Sequence, residues 1–168
     1  MDYSPGLRGV VAGETEISTV GMEGTSLRYR GYDAIELTKT HTYEDVASLI
    51  IDDNLDGKLF KETFTNHYEN LLNDKDLIKL IDNLKVEQHP MDVMRTAISY
   101  IGQADESNKL QAASKVTAIA CLVIASYHNQ PSSQLDAEYT VASSLLPNTS
   151  SNQQHEALDD MLILYAEH

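Results

Sequence analysis

Val116-Thr-Ala-Ile-Ala-Cys-Leu-Val-Ile-Ala125 is the longest apolar run in the chain. It is the second half of a segment, about Ser107–His128, whose apolar residues fall on every side of a helical wheel. A helix that is apolar all round is buried on most sides. The segment therefore predicts a central helix surrounded by other elements. Its one cysteine, Cys121, is the only cysteine of the 168 residues, so no intrachain disulfide exists. A reactive thiolate wants cationic neighbours, and this run supplies none. Cys121 reads as a small buried hydrophobe, consistent with a reducing compartment.

Outward from this helix the period stays helical. Upstream, Thr42 and Asp45 form a capping box with Asp in place of Glu. Val46, Leu49 and Ile50 follow as a stripe at i, i+3 and i+4. A helix from about Lys58 to Leu72 has Leu59, Phe60, Phe64 and Leu71 as its apolar side. Another, Asp76–Leu84, places Leu77, Leu80, Ile81 and Leu84 on one face. His89-Pro90 restarts the chain, because Pro suits the first helical position. Val93, Met94, Ala97, Ile98 and Ile101 are its buried stripe, and Gly102 is its stop.

Downstream, Leu135–Leu146 is expected as a helix ended by Pro147, and Asn148–Gln154 as a polar loop. The last helix is expected from near Asn152 to His168. Met161-Leu-Ile-Leu-Tyr165 is strongly apolar and no Gly, Pro, Lys or Arg finishes it. This favours a chain cut from a longer protein over a terminal helix docked in its own core.

The N-terminal residues differ. Residues 6–32 are rich in glycine and β-branched side chains, and 1–32 is expected as a β-rich N-terminal segment. Thr15–Val20 and Ser26–Tyr32 read as two short strands, with Gly21-Met-Glu-Gly24 as the turn of a small hairpin. The expected fold class is therefore all-α, mainly helical, with a small N-terminal β-hairpin, in one domain over 1–168. A chain of this length buries ~68–70% of the surface its unfolded form exposes.

Charge narrows the partners. There are 26 acidic against 12 Lys and Arg, a net charge of −14. No basic cluster offers a footprint for nucleic acid or an anionic membrane. The longest apolar run is about half the roughly 20 residues of a bilayer span, and the N-terminus lacks a signal-peptide pattern. A cytoplasmic location is the expectation.

Several motifs nearly match. Asp52-Asp-Asn-Leu-Asp-Gly57 opens like a calcium loop, but the twelfth position, which needs a bidentate Glu, is Thr63. Gly9-Val-Val-Ala-Gly-Glu-Thr15 hints at a phosphate loop, but is one residue short and has Glu14 where lysine belongs. His155-Glu-Ala-Leu-Asp159 resembles the start of a zinc motif, but Asp159 replaces the second His and no third ligand is in sight. A solvated helix face is the preferred reading there. His41, His67 and His128 read as surface or boundary residues. His89 is either a helix N-terminal residue or a site residue. No metal is expected.

Four segments carry a resemblance. Gly6-Leu-Arg-Gly-Val-Val-Ala-Gly-Glu-Thr15 and Leu27-Arg-Tyr-Arg-Gly-Tyr-Asp33, the second similar to "L-x-Y-R-G-Y", resemble segments of bacterial citrate synthases and 2-methylcitrate synthases. His89-Pro-Met-Asp-Val-Met-Arg-Thr-Ala-Ile-Ser99 resembles that family's "H-P-M-D-V-L-R-T-A-V-S". Leu162-Ile-Leu-Tyr-Ala-Glu-His168 resembles its "L-I-L-H-A-D-H". The segments come in family order over essentially the whole chain. Departures are Lys115-Val-Thr-Ala-Ile where the family has "K-x-P-T-I", and Tyr165 where many relatives have His.

The resemblance implies an N-terminal portion of a citrate synthase-like large domain. It implies condensation of acetyl-CoA with oxaloacetate to citrate, or of propionyl-CoA to 2-methylcitrate, with acyl-CoA as substrate and no cofactor. One carboxylate of the family removes a proton from the thioester, and histidines hydrogen-bond the enol and the oxaloacetate carbonyl. Only His168 matches one of these groups, a histidine that contacts oxaloacetate. The catalytic aspartate and other histidines have no counterpart here, so no catalytic residue is expected on the chain and no turnover by it alone. A homodimer is implied. The rival expectations are a non-catalytic relative that binds another subunit and, more weakly, a calcium-binding helical protein.

Overall fold

The computed structural model describes residues 9–11, 13–19, 26–102, 108–128, 140–146 and 150–167. Three two-residue strands, β1 (Ser18–Thr19), β2 (Arg28–Tyr29) and β3 (Tyr32–Asp33), form an antiparallel sheet in the order β1-β2-β3. Ser18 pairs with Tyr29, and Tyr29 with Tyr32. The expected hairpin is thus present, but a third strand joins it. Ser26–Tyr32 is not one strand, because Arg30 (φ 43°) and Gly31 (φ 88°) both take the left-handed region. A two-residue hairpin turn whose twist matches its strands needs that conformation. The expected turn Gly21–Gly24 lies outside the described residues.

Arg30 is an unusual residue for positive φ, and its side chain is tied down. The guanidinium Nη2 donates to the Ile50 carbonyl at 3.0 Å, and Nε lies 3.7 Å from Asp53 Oδ1. Asp53, at φ 56°, is itself the left-handed cap of the helix that Ile50 belongs to. The two non-glycine positive-φ residues among those described therefore hold each other.

The sheet leads directly into α1 (Ala34–Thr40), which sequence periodicity misses. Asp33 caps it, accepting from Ile35 N and Glu36 N. Only Ala34 and Leu37 are buried, too few positions over two turns to establish a period. In α2 (Tyr43–Asp52) the Thr42–Asp45 capping box is present as read. Then follow α3 (Lys58–Leu72), α4 (Lys75–Leu84), α5 (Pro90–Ile101), α6 (Lys109–Tyr127), α7 (Val141–Leu145) and α8 (Asn152–Leu164). Ser107 and residues 135–139 of the expected helices lie outside the described residues.

α3 and α6 form the central pair. Ala118, Ile119, Cys121 and Leu122 of α6 are buried in one cluster with Phe60, Phe64 and Tyr68 of α3. The Phe64 and Tyr68 rings stack with centroids 5.7 Å apart. Leu77 and Ile81 of α4 and Val93 and Ala97 of α5 complete this core. Leu59, expected on the apolar side of α3, is instead 57% exposed. The buried arc is set by Phe60, Thr63, Phe64 and Leu71, and Leu59 lies at its edge. By length and composition alone α6 is apolar enough to cross a membrane; here it is the spine of the core, packed against α3, α5 and α7.

A second, smaller cluster joins Tyr29, Ala34, Leu37, Val46, Leu49 and Ile163. It places the end of α8 on the sheet and α1. α8 does not run to the end of the chain: it stops at Leu164, with Tyr165 as its cap. No Gly, Pro, Lys or Arg marks this stop; Tyr165 N–H closes it on Met161 O, and the Tyr29 hydroxyl meets the Leu164 carbonyl.

At the seam between α2 and α3, Gly57 is required by close approach. A Cβ there would lie 2.7 Å from the Glu44 carbonyl oxygen, and closer still to Glu44 C and Asp45 N. Asp45 Oδ1 accepts from Gly57 N at 2.8 Å. Burial pushes the Asp45 carboxyl up, but the Thr42 and Gly57 backbone N–H groups outweigh it and leave it below the usual range.

Candidate functional site: the end of α8

His168 lies outside the described residues. The segment leading to it is described and is held at successive points. Ile163 is fully buried in the smaller cluster. The Tyr29 hydroxyl donates to the Leu164 carbonyl at 3.1 Å. Tyr165 N–H donates to Met161 O at 3.1 Å and Ala166 N–H to Ile163 O at 3.2 Å. The Ser18 hydroxyl hydrogen-bonds the Glu167 carboxylate. Tyr165, at the departure from the family's segment, points its ring to solvent, 74% exposed. A cavity of about 110 Å³ opens beside Ala166, lined also by Tyr43, Ala47, Phe60 and Thr117.

One turn earlier, Asp159 is not on a solvated face, contrary to the sequence expectation. Its two oxygens accept from Tyr43 N at 3.3 and 3.1 Å. It thereby receives the first N–H of α2, one of the donors that a helix leaves unpaired. Burial, then the charge of Glu44, pushes the Asp159 carboxyl up to about 6. Glu44 is 2% exposed and in turn accepts from Val141 N, the first N–H of α7, at 2.8 Å. His155 Nε2 is buried and has no hydrogen-bond partner among the described residues. Spacing alone pairs Asp159 with His155; the fold uses it to tie α8 to α2.

The other candidates are accounted for locally. His89 is the N-cap of α5, its Nδ1 accepting from Met91 N at 3.2 Å, as the helix N-terminal reading expects. In the calcium-like loop, Asp56 accepts from Lys58 N and Asp53 pairs with Arg30. Thr63, at the twelfth position, turns its hydroxyl back to the Leu59 and Phe60 carbonyls, both at 2.9 Å. In the phosphate-like stretch, Gly9, Val10, Val11 and residues 13–15 are exposed. Cys121 is buried, and burial pushes its thiol up to about 12, so it stays protonated and inert. His67 Nε2 meets Gln111 Oε1 at 3.1 Å. Among the described residues no three His, Cys, Asp or Glu gather as a metal site.

Sequence reasoning missed Tyr29, Ser18 and the Asp159 tie. Alternation along so short a strand places Tyr29 on one face but says nothing of where its hydroxyl goes. The one available signal was indirect: an apolar helix end without its own terminator needs one from another element.

Comparison with known proteins now bears on this arrangement. The family model described as citrate synthase, C-terminal domain, matches residues 6–168. The citrate/2-methylcitrate synthase of Bacillus subtilis (strain 168) is 32% identical over 186 residues, covering 99% of this chain and 49% of that protein. The 2-methylcitrate synthase 2 of Corynebacterium glutamicum is 41% identical over 107 residues, covering 62% of this chain and 27% of that one. Among solved structures, a citrate synthase of Thermoplasma acidophilum, in a ternary complex with carboxymethyl coenzyme A and oxaloacetate, superposes with a TM-score of 0.79. It shares 18% identity and is matched over 99% of this chain and 48% of that one; at that identity the likeness shows the fold. This chain spans about half or less of the length of these relatives. With a family model matched from the sheet to the last residue of the segment that follows α8, the chain belongs to the citrate synthase family.

Proposed function

We propose that the chain carries part of the oxaloacetate site of a citrate synthase-type condensing enzyme, with His168 as the group that meets the 2-oxo acid. The observation that supports this is the anchored run Ile163–Glu167, which leads into His168 at the position the family resemblance marks. An imidazole N–H beside the ketone oxygen of oxaloacetate stabilises the negative charge that develops there as the new carbon–carbon bond forms. The carbon nucleophile is an acyl-CoA thioester that has lost an α-proton to a carboxylate. That carboxylate belongs to the family segments without counterpart here, so the 168-residue chain binds without turning over.

Acetyl-CoA giving citrate is the first reading of the acyl substrate, and propionyl-CoA giving 2-methylcitrate the alternative. The same reading makes the enzyme a cytoplasmic homodimer that needs no cofactor. The test has two arms. Incubating the chain with oxaloacetate and acetyl-CoA or propionyl-CoA should release no CoA above background; clear turnover overturns the assignment of the catalytic carboxylate to missing segments. Histidine-selective NMR should show His168 shifting as oxaloacetate reaches millimolar concentration, and a wholly unchanged spectrum overturns the assignment of His168.

A second reading, a non-catalytic family member that associates with another subunit, draws on one observation. Met161, Leu164 and Tyr165 of the α8 end are exposed. Light scattering of the chain with and without a full-length family enzyme distinguishes it.

A further inference from the structure

Of the 13 residues of α8 only Ile163 is buried, whereas α6 buries eight of its 19. Apolar burial therefore holds α8 chiefly near its C-terminal end. Nearer its middle the hold is Asp159, which accepts the first N–H of α2 from Tyr43 at 3.1 Å. The seam between these helices is not filled. The cavity of about 110 Å³ has Tyr43, Ala47 and Ile50 of α2 in one wall and Ala166, beyond α8, in another. The charges that act on Asp159 are those of Glu44, Asp160 and Asp45, all acidic. α7, which also packs on α8, brings no titratable side chain over Val141–Leu145. α1 brings Glu36 and Lys39, exposed and paired with each other at 2.8 Å. Tyr43 and Cys121 of α6 are neutral, burial pushing both up to about 12. On α8 itself, Glu156 is exposed, and His155 buries Nε2 without a hydrogen-bond partner among the described residues.

Like charges so placed oppose each other's ionisation. The two main partners are not equally free to escape. Glu44 is 2% exposed and fixed to the start of α7 through Val141 N at 2.8 Å. Asp159 is only half-buried and rides on the helix with the least buried surface to hold it. When both are charged, α8 is the part that yields. We propose that the Glu44–Asp159 pair is a pH-sensitive latch on α8: with one proton between them the seam to α2 is closed, and when that proton leaves, Asp159 withdraws from Tyr43 N–H and the middle of α8 opens locally. The direction follows from linkage. Asp159 holds its proton more tightly in the closed seam than an ordinary carboxyl does, at about 6 against 3.8. Closure is therefore favoured in acid and weakened as pH rises through that window.

The experiment is amide hydrogen exchange at Tyr43 in the 168-residue chain, expressed as protection against the unstructured rate at each pH. Protection should fall about tenfold between pH 4 and pH 7, allowing for screening at a half-buried site. It should depend little on dilute urea, because a local opening exposes little surface. Asp159→Asn and Glu44→Gln each keep an accepting oxygen and remove one charge, and each should abolish the fall. His155→Gln should retain it. Flat protection in the wild-type chain overturns the proposal. So does a fall that survives in Glu44→Gln, since Asp159 would then act alone, or one that His155→Gln removes, since the imidazole would then be the titrating group. A fall with the steep urea dependence of whole-chain unfolding overturns the local opening. Should a variant fail to fold, carboxyl-carbon NMR of the wild-type chain decides. One carboxyl of the pair should titrate well above the usual carboxylate range, and ordinary titration of both overturns the latch.

Discussion

The two apolar clusters of this chain are held together in different ways. The larger one, around α3 and α6, is a matter of volume: Phe60, Phe64, Tyr68, Ile119 and Leu122 fill one another's gaps. The smaller one, with Tyr29, Ala34, Leu37, Val46, Leu49 and Ile163, is ringed by directional polar ties. Tyr29 meets Leu164, Arg30 meets Ile50, Ser18 meets Glu167, and Asp159 meets the start of α2. Burial is roughly proportional to area and indifferent to direction, so it holds a core together without choosing a register. Hydrogen bonds add little net stability each but tolerate little displacement. The end of the chain that carries the candidate histidine sits with the ties.

The largest expected effect tests whether the two clusters stand or fall together. Phe64→Ala, at a fully buried position, should cost ~3–5 kcal/mol. Urea melts followed by far-UV circular dichroism and by tyrosine fluorescence should shift together; separate midpoints would show that the clusters unfold independently. Next comes the seam. Gly57→Ala places a methyl group against backbone of Glu44 and Asp45, where nothing flexible can give way. A loss of about 1–3 kcal/mol is expected, read from the same melts, and a neutral outcome would mean that the two helices separate easily.

The smallest effect concerns the polar ties and has the opposite sign. Asp159 holds its proton more tightly in the folded chain, with its pKa raised to about 6 from 3.8. Between those two pH values the folded state binds more protons than the unfolded one, so stability falls as pH rises through the window. Above it the full penalty is present. Asp159→Asn keeps an oxygen for Tyr43 N–H and cannot ionise. It should stabilise the chain at pH 7 by about 1 kcal/mol, allowing for solvent screening at a half-buried site, and give no gain near pH 4. Equal effects at both pH values would show that charge is not what matters there.

The same division explains what could be read in advance. The α2 stripe with its capping box, the Pro90 start and the Gly102 stop of α5 follow from local chemistry that sequence displays. α1 was hidden because two buried residues make no period. The role of Asp159 is hidden in the sequence because its partner is a backbone N–H at Tyr43, and no side-chain pattern announces a backbone donor. The end of α8 is hidden for a similar reason: beside its local cap at Tyr165, its Leu164 carbonyl is met by a hydroxyl from β2. Of the candidate site, the family segment ending in His168 was legible, and the residues that hold that segment were not.

The run from Asp159 to Leu164 is pinned at both ends, to Tyr43 N–H at one and to the Tyr29 hydroxyl at the other. One residue added or removed between them would shift the helix end by about 1.5 Å and turn it by ~100°. Neither tie could then be kept without losing the other. This short stretch is therefore a gauge of fixed length: substitutions within it are a question of degree, whereas a single-residue insertion or deletion should break one tie or the other.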